Sequence, residues 1–266
     1  MKFSMIPIIF AVQLFGTLYA ARIAAQRRIL RRPGWVYGIM VLLTLWGGVS
    51  TWLGLRGFYE TQEFLASYPL FWFTMVAVVL VLTPYLLFAR AREALHQLID
   101  AVPIHWLIGI HSLRILAVGT MVKAAYGEFP VSFAFYIGGP DFLFGLSSLW
   151  VWRLARKETI NDFWIAAWNI IGFLVIIPGA MFVAQRRLPG VFFSIVETPP
   201  MALLFDMPMA LAPSLVVPIF LIMNVFVAIR LLTRESRSIP YTRKNQHYRT
   251  PARSLVKGQI LNRELI

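Results

Sequence analysis

The chain has 266 residues, of which 59% are hydrophobic and only 14% are charged. A mean hydropathy of +0.69 excludes an ordinary soluble domain, whose surface carries many more charges. The absence of cysteine excludes disulfides, thiol catalysis and cysteine-ligated metals. We therefore expect an all-α integral membrane bundle of about seven transmembrane helices, since each crossing takes roughly 20 apolar residues.

Apolar runs of this length recur along the chain. The first run ends at the arginine-rich segment RRILRR, which argues against a cleaved export signal. We predict spans one to seven at residues 5–24, 35–55, 69–88, 104–122, 132–152, 163–184 and 209–232. They form one transmembrane domain, residues 1–234, which is followed by a basic cytoplasmic tail, residues 235–266.

Two connections between the spans have a pattern of their own. The segment ARAREALHQLID, between spans three and four, is basic and then amphipathic, which predicts a helix along the inner membrane interface. Residues 185–208, between spans six and seven, contain FFSIV and two adjacent prolines. This segment is too short and too broken to cross again, so we expect it at the outer interface.

Lysine and arginine are unevenly distributed between the two ends of the predicted bundle. They concentrate after spans one, three, five and seven and in the tail, and positive residues favour the cytoplasmic side. We therefore expect the N-terminus outside, the C-terminus in the cytoplasm, and the lipid bilayer as the main partner. The tail is predicted to be solvated, with anionic lipid as its candidate partner. We expect no nucleic-acid partner.

Two charged residues lie near the middle of apolar spans. Arg114 is halfway along span four, and Asp141 is at a similar depth in span five. A lone charge at the bilayer centre costs about 2.5–3.5 kcal/mol on insertion scales, so we expect the two to pair. His111 precedes Arg114 by three residues and shares its helix face.

Other polar residues surround this predicted pair. Asp141 follows Gly138-Gly139-Pro140, which should loosen the helix in front of it, and helices broken at this depth are tolerated where they line a cavity or are buried in protein. Asn169 in span six adds an amide. The candidate binding site therefore consists of Arg114, Asp141, His111 and Asn169. The alternative is an ion pair that serves only assembly of the bundle. In span seven, Asn224 is expected to bond to a neighbouring helix.

Several specific chemistries are disfavoured by these residues. Both histidines of the candidate membrane region, His105 and His111, lie on one helix, which argues against a haem held between facing helices. Asp141 has no second mid-membrane aspartate beside it, as an aspartyl protease needs, and span seven has no lysine for a retinal Schiff base. There is no metalloprotease HExxH motif and no phosphate-binding loop. We predict no catalytic residue and no metal site, and the sequence identifies no cofactor.

A resemblance extends over roughly the C-terminal two-thirds of the chain, up to Leu232. The segments that carry it are HSLRILAVGTMV, FYIGGPDFLFGLSSLWV, WNIIGF and LVVPIFLIMNVF. They resemble a group of uncharacterised bacterial multi-pass inner-membrane proteins, in which a glycine–aspartate span precedes a tryptophan–asparagine span and a proline-bearing last span. Here a proline precedes Asp141 where a glycine is expected. The resemblance implies a bacterial inner membrane and no particular activity.

Two interpretations of function remain open. The first is a non-catalytic accessory or sensor subunit of a membrane assembly, which meets a membrane-protein partner through its tail or outer segment. The second is a small transporter or solute-binding membrane protein that uses a polar cavity between spans four, five and six. In that case Asp141 would be an ion- or proton-responsive acid and Arg114 its countercharge. An intramembrane enzyme would have only these residues as its acid and base.

Overall fold

The described part of the chain is helical throughout. The computed structural model describes residues 4–61, 63–64, 72–177 and 201–234, and every regular element within them is a helix. The compact unit to which they belong extends to Thr233. The predicted tail, residues 235–266, lies outside the described residues.

The first two helices pack against each other near the start of the chain. Helix α1 covers Ile6–Gln26 and helix α2 covers Pro33–Leu55, close to predicted spans one and two. Each has a proline in its first turn, where the missing N–H leaves no intrahelical hydrogen bond unmade. A short 3-10 turn, Phe58–Glu60, follows α2.

The next two helices meet at a sharp bend. Helix α3, Trp72–Leu87, and helix α4, Ala89–Ala101, are inclined at 109° to each other across the break between them. Helix α4 buries Ala91 and Ala94. The predicted amphipathic helix after span three is therefore present as a separate element. The first residues of predicted span three, 69–71, lie outside the described residues.

Two longer helices, each with an irregular segment, follow. Helix α5, Ile104–Ala125, is α-helical at both ends and forms a 3-10 helix at Ile110–Ala117. Helix α6, residues 131–156, contains a π-helical segment, Ala134–Gly138, directly before the glycine–proline–aspartate sequence. The loosening predicted in front of Asp141 is therefore a π segment within a helix that continues past it.

The last two described helices correspond to predicted spans six and seven. Helix α7 covers Asp162–Leu174 and is capped by Asn161, whose side chain accepts a hydrogen bond from the backbone N–H of Trp164 at 3.0 Å. The outer half of predicted span six, residues 178–184, lies outside the described residues, as do residues 185–200 of the predicted outer segment. Helix α8 begins with a π segment, Ala212–Val216, and continues as an α-helix over Val217–Arg234.

Helix α8 is the most deeply buried of the long apolar helices. Half of its most apolar stretch is buried, compared with 22–28% for α1, α2 and α5. One face contributes Leu215 and Phe226 to a core with α1–α4, and another contributes Val227 and Leu231 to a core with α5–α7. Helix α8 therefore joins the two halves of the described bundle.

The described helices are compatible with a membrane protein. Four of them are long and apolar enough to cross a bilayer, and a fifth crossing is added if α3 and α4 count as one broken span. Large apolar side chains such as Phe15, Phe135 and Trp150 are exposed on their outer faces, as lipid contact requires. Helix α6 carries glycine, proline, aspartate and serine, which reduce its hydropathy, and α7 has only 13 residues. Seven crossings therefore stay a prediction.

Candidate functional site

Arg114 and Asp141 form the predicted ion pair. Nε of Arg114 donates a hydrogen bond to Oδ1 of Asp141, and Nη1 donates to the carbonyl oxygen of Gly172 at 3.2 Å. The guanidinium carbon lies 4.2 Å from the ring centroid of Phe144 and 6.0 Å from that of Phe220. The Arg114 side chain is 0% exposed and that of Asp141 is 16% exposed. The arginine is thus enclosed by four helices, whereas the Asp141 side chain is partly exposed.

Two glycines allow these helices to approach closely. A Cβ at Gly145 would lie 2.6 Å from the backbone nitrogen of Ile115 and 2.9 Å from the carbonyl carbon of Arg114. A Cβ at Gly172 would lie 2.1 Å from Cζ of Phe144. All three distances are shorter than those of real Cβ contacts. These two glycines therefore allow α6 to pack against α5, and α7 against α6.

His111 lies beside the ion pair, inside a cage of aromatic rings. It shares the 3-10 segment with Arg114, and in a 3-10 helix residues three apart project in nearly the same direction. The imidazole is 0% exposed. Its ring centroid is 5.7 Å from that of Phe144, 5.5 Å from that of Trp168 and 5.6 Å from that of Phe220, so α6, α7 and α8 each contribute one wall.

Several buried polar atoms of α5 and α8 have no hydrogen-bond partner among the described residues. They are Nη2 of Arg114, both ring nitrogens of His111, and both side-chain polar atoms of Asn224. Asn224 lies one turn beyond Phe220 on α8, hence on the same face. It is completely buried. The expected bond from Asn224 to a neighbouring helix is therefore not formed within the described structure.

Asn169 occupies a different role from the other three predicted site residues. Its side-chain nitrogen donates to the backbone carbonyl of Ile165 at 2.9 Å within its own helix, and no hydrogen bond described here joins it to the ion pair. Its neighbour Trp168 is closer to the site, because its indole ring stacks on Phe144 at 4.4 Å and its Nε1 donates to Ser147 at 3.0 Å. The structure therefore brings Arg114, Asp141 and His111 together and leaves Asn169 in the helix packing.

A second group of polar side chains provides an internal comparison. Ser50 on α2 donates to the hydroxyl of Ser214 at 2.9 Å and also bonds to the hydroxyl of Tyr59 at 2.9 Å. The π segment of α8 leaves backbone carbonyls available. The indole of Trp46 donates to the carbonyl of Ser214 at 2.9 Å, and the amide of Gln13 donates to that of Val216 at 3.2 Å. Apart from one oxygen of Gln13, this cluster satisfies its hydrogen bonds within the protein.

The Arg114 site combines a buried ion pair with unpaired nitrogen atoms. Within the described ranges, no three His, Cys, Asp or Glu side chains form a group that could hold a metal ion. The site offers the unpaired Nη2 of Arg114 and the imidazole of His111, both buried where electrostatic interactions are stronger than in water.

The chain belongs to the DUF8737 family, which is described as a domain of unknown function. The family model matches residues 70–233, a range that contains the ion pair, His111 and Asn224. No curated protein and no solved structure matches the chain.

Proposed function

We propose that this member of the family is a non-catalytic integral membrane protein that binds a small polar ligand between α5, α6, α7 and α8, as a sensor or accessory subunit of a membrane assembly. The observation that supports this function is the unused hydrogen-bonding capacity of Arg114 and His111. Both side chains are fully buried, yet three of their nitrogens have no partner within the described structure.

The physical reason is the cost of burying polar groups without partners. A buried charge stabilises a fold only when its remaining donors are also bonded, and apolar replacements of buried ion pairs are often neutral or stabilising. An unpaired buried donor costs about 1–3 kcal/mol. The Ser50 cluster is far better satisfied, so the same fold can satisfy polar groups when they serve packing. The free nitrogens of Arg114 and His111 therefore favour a ligand.

The membrane setting is part of the proposal. We propose seven spans in a bacterial inner membrane, with the N-terminus outside and the C-terminus in the cytoplasm. The long apolar helices support a bilayer as the solvent of the bundle, and the lysines and arginines after spans one, three, five and seven support the orientation. The basic tail would then face anionic lipid or a partner protein on the cytoplasmic side.

A small transporter is the second candidate function. It is favoured by the position of Asp141, whose side chain is 16% exposed. Asp141 directly follows the π segment Ala134–Gly138 and Gly139-Pro140. Irregular helical segments of this kind recur at functional sites, and alternating access needs a residue that can be reached from one side. A transporter would move the bound ligand across liposomes, and a sensor subunit would bind it without flux.

A ligand panel tests the proposed function. Thermal unfolding of the purified full-length protein is measured in detergent with small anions, small cations and small neutral solutes. A ligand at 100 times its Kd stabilises the folded state by about 2.7 kcal/mol, so at least one class should raise the Tm of the wild type. The double variant Arg114→Gln/Asp141→Asn should lose that response, whereas Ser50→Ala, in the other polar cluster, should keep it. A wild type that responds to none of these classes would contradict the function.

A further inference from the structure

We infer that this site takes a small monovalent anion together with one proton, the anion bound by Arg114 and the proton by His111. The inference rests on the proposed function and specifies the class of its ligand. It follows from three properties of the described residues around Arg114: which polar atoms are free, how much room the helices leave, and how the charges balance.

The free polar atoms are mainly hydrogen-bond donors. Nη2 of Arg114 is a charged donor, a neutral His111 presents one N–H, and the amide nitrogen of Asn224 presents two more. All three side chains are buried and these atoms have no partner within the described residues. The carboxylate of Asp141 is already bonded to Arg114. Because the unpaired Nη2 belongs to a cationic side chain, it favours an anion over a metal cation.

The close packing limits the size of the anion. Gly145 leaves no room for a Cβ between α5 and α6, and Gly172 leaves none beside the ring of Phe144. The rings of Phe144, Trp168 and Phe220 surround His111 at 5.5–5.7 Å. The packing therefore limits the anion to one no larger than a halide or formate.

The charge balance links the anion to a proton. Arg114 and Asp141 together are neutral, so an anion alone would leave a net negative charge in a buried place, which is costly. The charged group beside His111 on its own helix is Arg114, which is bonded to Asp141 of α6. Helices α7 and α8 present uncharged aromatic rings to His111, those of Trp168 and Phe220. Without an anion, a protonated His111 would repel Arg114. With the anion bound, protonation restores neutrality, and by linkage each ligand strengthens binding of the other.

This linkage makes a quantitative expectation for chloride. If one proton is taken up per anion, chloride affinity should rise by up to about tenfold for each unit by which the pH falls. The Asp141→Asn variant removes the negative charge that makes the proton necessary. In that variant chloride should bind without a proton, so its affinity should be independent of pH and at least tenfold higher than that of the wild type at pH 8.

The test is a chloride titration of the purified full-length protein in detergent between pH 5 and pH 8. Sodium chloride is compared with sodium gluconate at equal ionic strength, since gluconate is too large for the site, and with choline chloride, which changes the cation.

Calorimetry in two buffers of different ionisation enthalpy counts the protons taken up per chloride bound. We expect the wild type to take up about one proton per chloride bound, and both Asp141→Asn and His111→Asn to take up none. His111→Asn should also weaken chloride binding at pH 5 more than tenfold. Ser50→Ala should match the wild type.

The outcomes separate this inference from the proposed function. A response to chloride without proton uptake in the wild type, or a response only to cations or neutral solutes, would overturn the inference and leave a ligand-binding site. A protein that responds to no probe would overturn both. If Asp141→Asn does not fold, the proton count of the wild type and the pH profile of His111→Asn decide the matter by themselves.

Discussion

The backbone carbonyl of Gly172 accepts a hydrogen bond from Nη1 of Arg114 at 3.2 Å, so α7 holds the arginine through its main chain and not through a side chain. This is possible because residue 172 has no Cβ, which would lie 2.1 Å from the ring of Phe144. That ring is in turn stacked against Trp168 and lies over the guanidinium. The lack of a side chain at Gly172 therefore determines the position of both Arg114 and the Phe144 ring.

Replacing this glycine should loosen the site. Gly172→Ala introduces a methyl group that can fit only if Phe144 moves, and Phe144 is confined by Trp168 and Arg114. Overpacking of this kind typically costs about 1–3 kcal/mol, measured as a lower free energy of unfolding in detergent. Gly48→Ala, on α2, is the matched control because nothing lies within 4 Å of the added Cβ. There the gain in helix propensity should stabilise by about 0.5–1 kcal/mol. Equal stability of the two variants would contradict the packing described here.

The amphipathic helix α4 is held to α8 by a second ion pair. Nε and Nη2 of Arg230 donate to the two carboxylate oxygens of Asp100 at 2.8 and 2.6 Å, and both side chains are about one quarter exposed. Arg230→Gln should therefore destabilise by about 1 kcal/mol at low salt, and by less at 1 M salt because partly exposed charges are screened. Arg90→Gln, an exposed arginine on α4, should have little effect. A loss of the same size in both variants would indicate a general effect of charge.

The stability of the α4 region should depend on pH through His96. Partial burial lowers the pKa of His96 below its ordinary value of 6.5, and the positive charges of Arg230 and Arg92 add to this, while Asp100 opposes it. The hydroxyl of Tyr85 lies 3.2 Å from Nε2. The unfolded chain therefore binds the proton at a higher pH than the folded protein. Stability attributable to His96 is fully present above pH 6.5 and declines as the pH falls below it.

Thermal unfolding at pH 7.5 and pH 5.5 measures this effect. The Tm of the wild type should fall more on acidification than the Tm of His96→Gln, in which the titrating group is absent. Since His96 is only partly buried, we expect a modest difference. If the variant loses as much stability as the wild type between these two pH values, another group is responsible for the pH dependence.

The central ion pair could be predicted from sequence because isolated charges in apolar helices are so unfavourable. Arg114 and Asp141 are mid-helix charges of opposite sign, and the histidine three residues earlier had to share a face with the arginine. The bend between α3 and α4 could also be predicted, since the chain there changes abruptly from apolar to basic. In both cases one strong local signal determines the structure.

The surroundings of the pair could not be predicted in the same way. With 21 phenylalanines in the chain, nothing in the sequence distinguishes Phe144 and Phe220, because their role depends on how α6 and α8 rotate about their axes. Asn169 resembled a site residue, yet its amide bonds to its own helix at Ile165. Backbone acceptors such as Gly172 carry no side-chain signal, and the 3-10 segment that aligns His111 with Arg114 follows from packing across helices.

The number of crossings also depends on information beyond hydropathy. The glycine, proline, aspartate and serine that make α6 functionally interesting reduce its apolar character, so it falls outside the helices that could cross a membrane by length and composition. Length, hydropathy and burial point to a helical bundle with four or five candidate crossings among the described residues. Cysteine-scanning accessibility from both sides of the membrane would decide whether α6 and α7 complete the predicted seven.

The most direct test of whether the buried charges serve a ligand is a double-mutant cycle on Arg114 and Asp141. Free energies of unfolding are measured for the wild type, Arg114→Gln, Asp141→Asn and the double variant. Each single change leaves one buried charge unpaired and should cost about 3–5 kcal/mol. We expect the double variant to regain most of that loss and to approach the stability of the wild type, because the fold itself does not need the pair. A double variant as unstable as the single ones would contradict this account and show that the pair holds the bundle together.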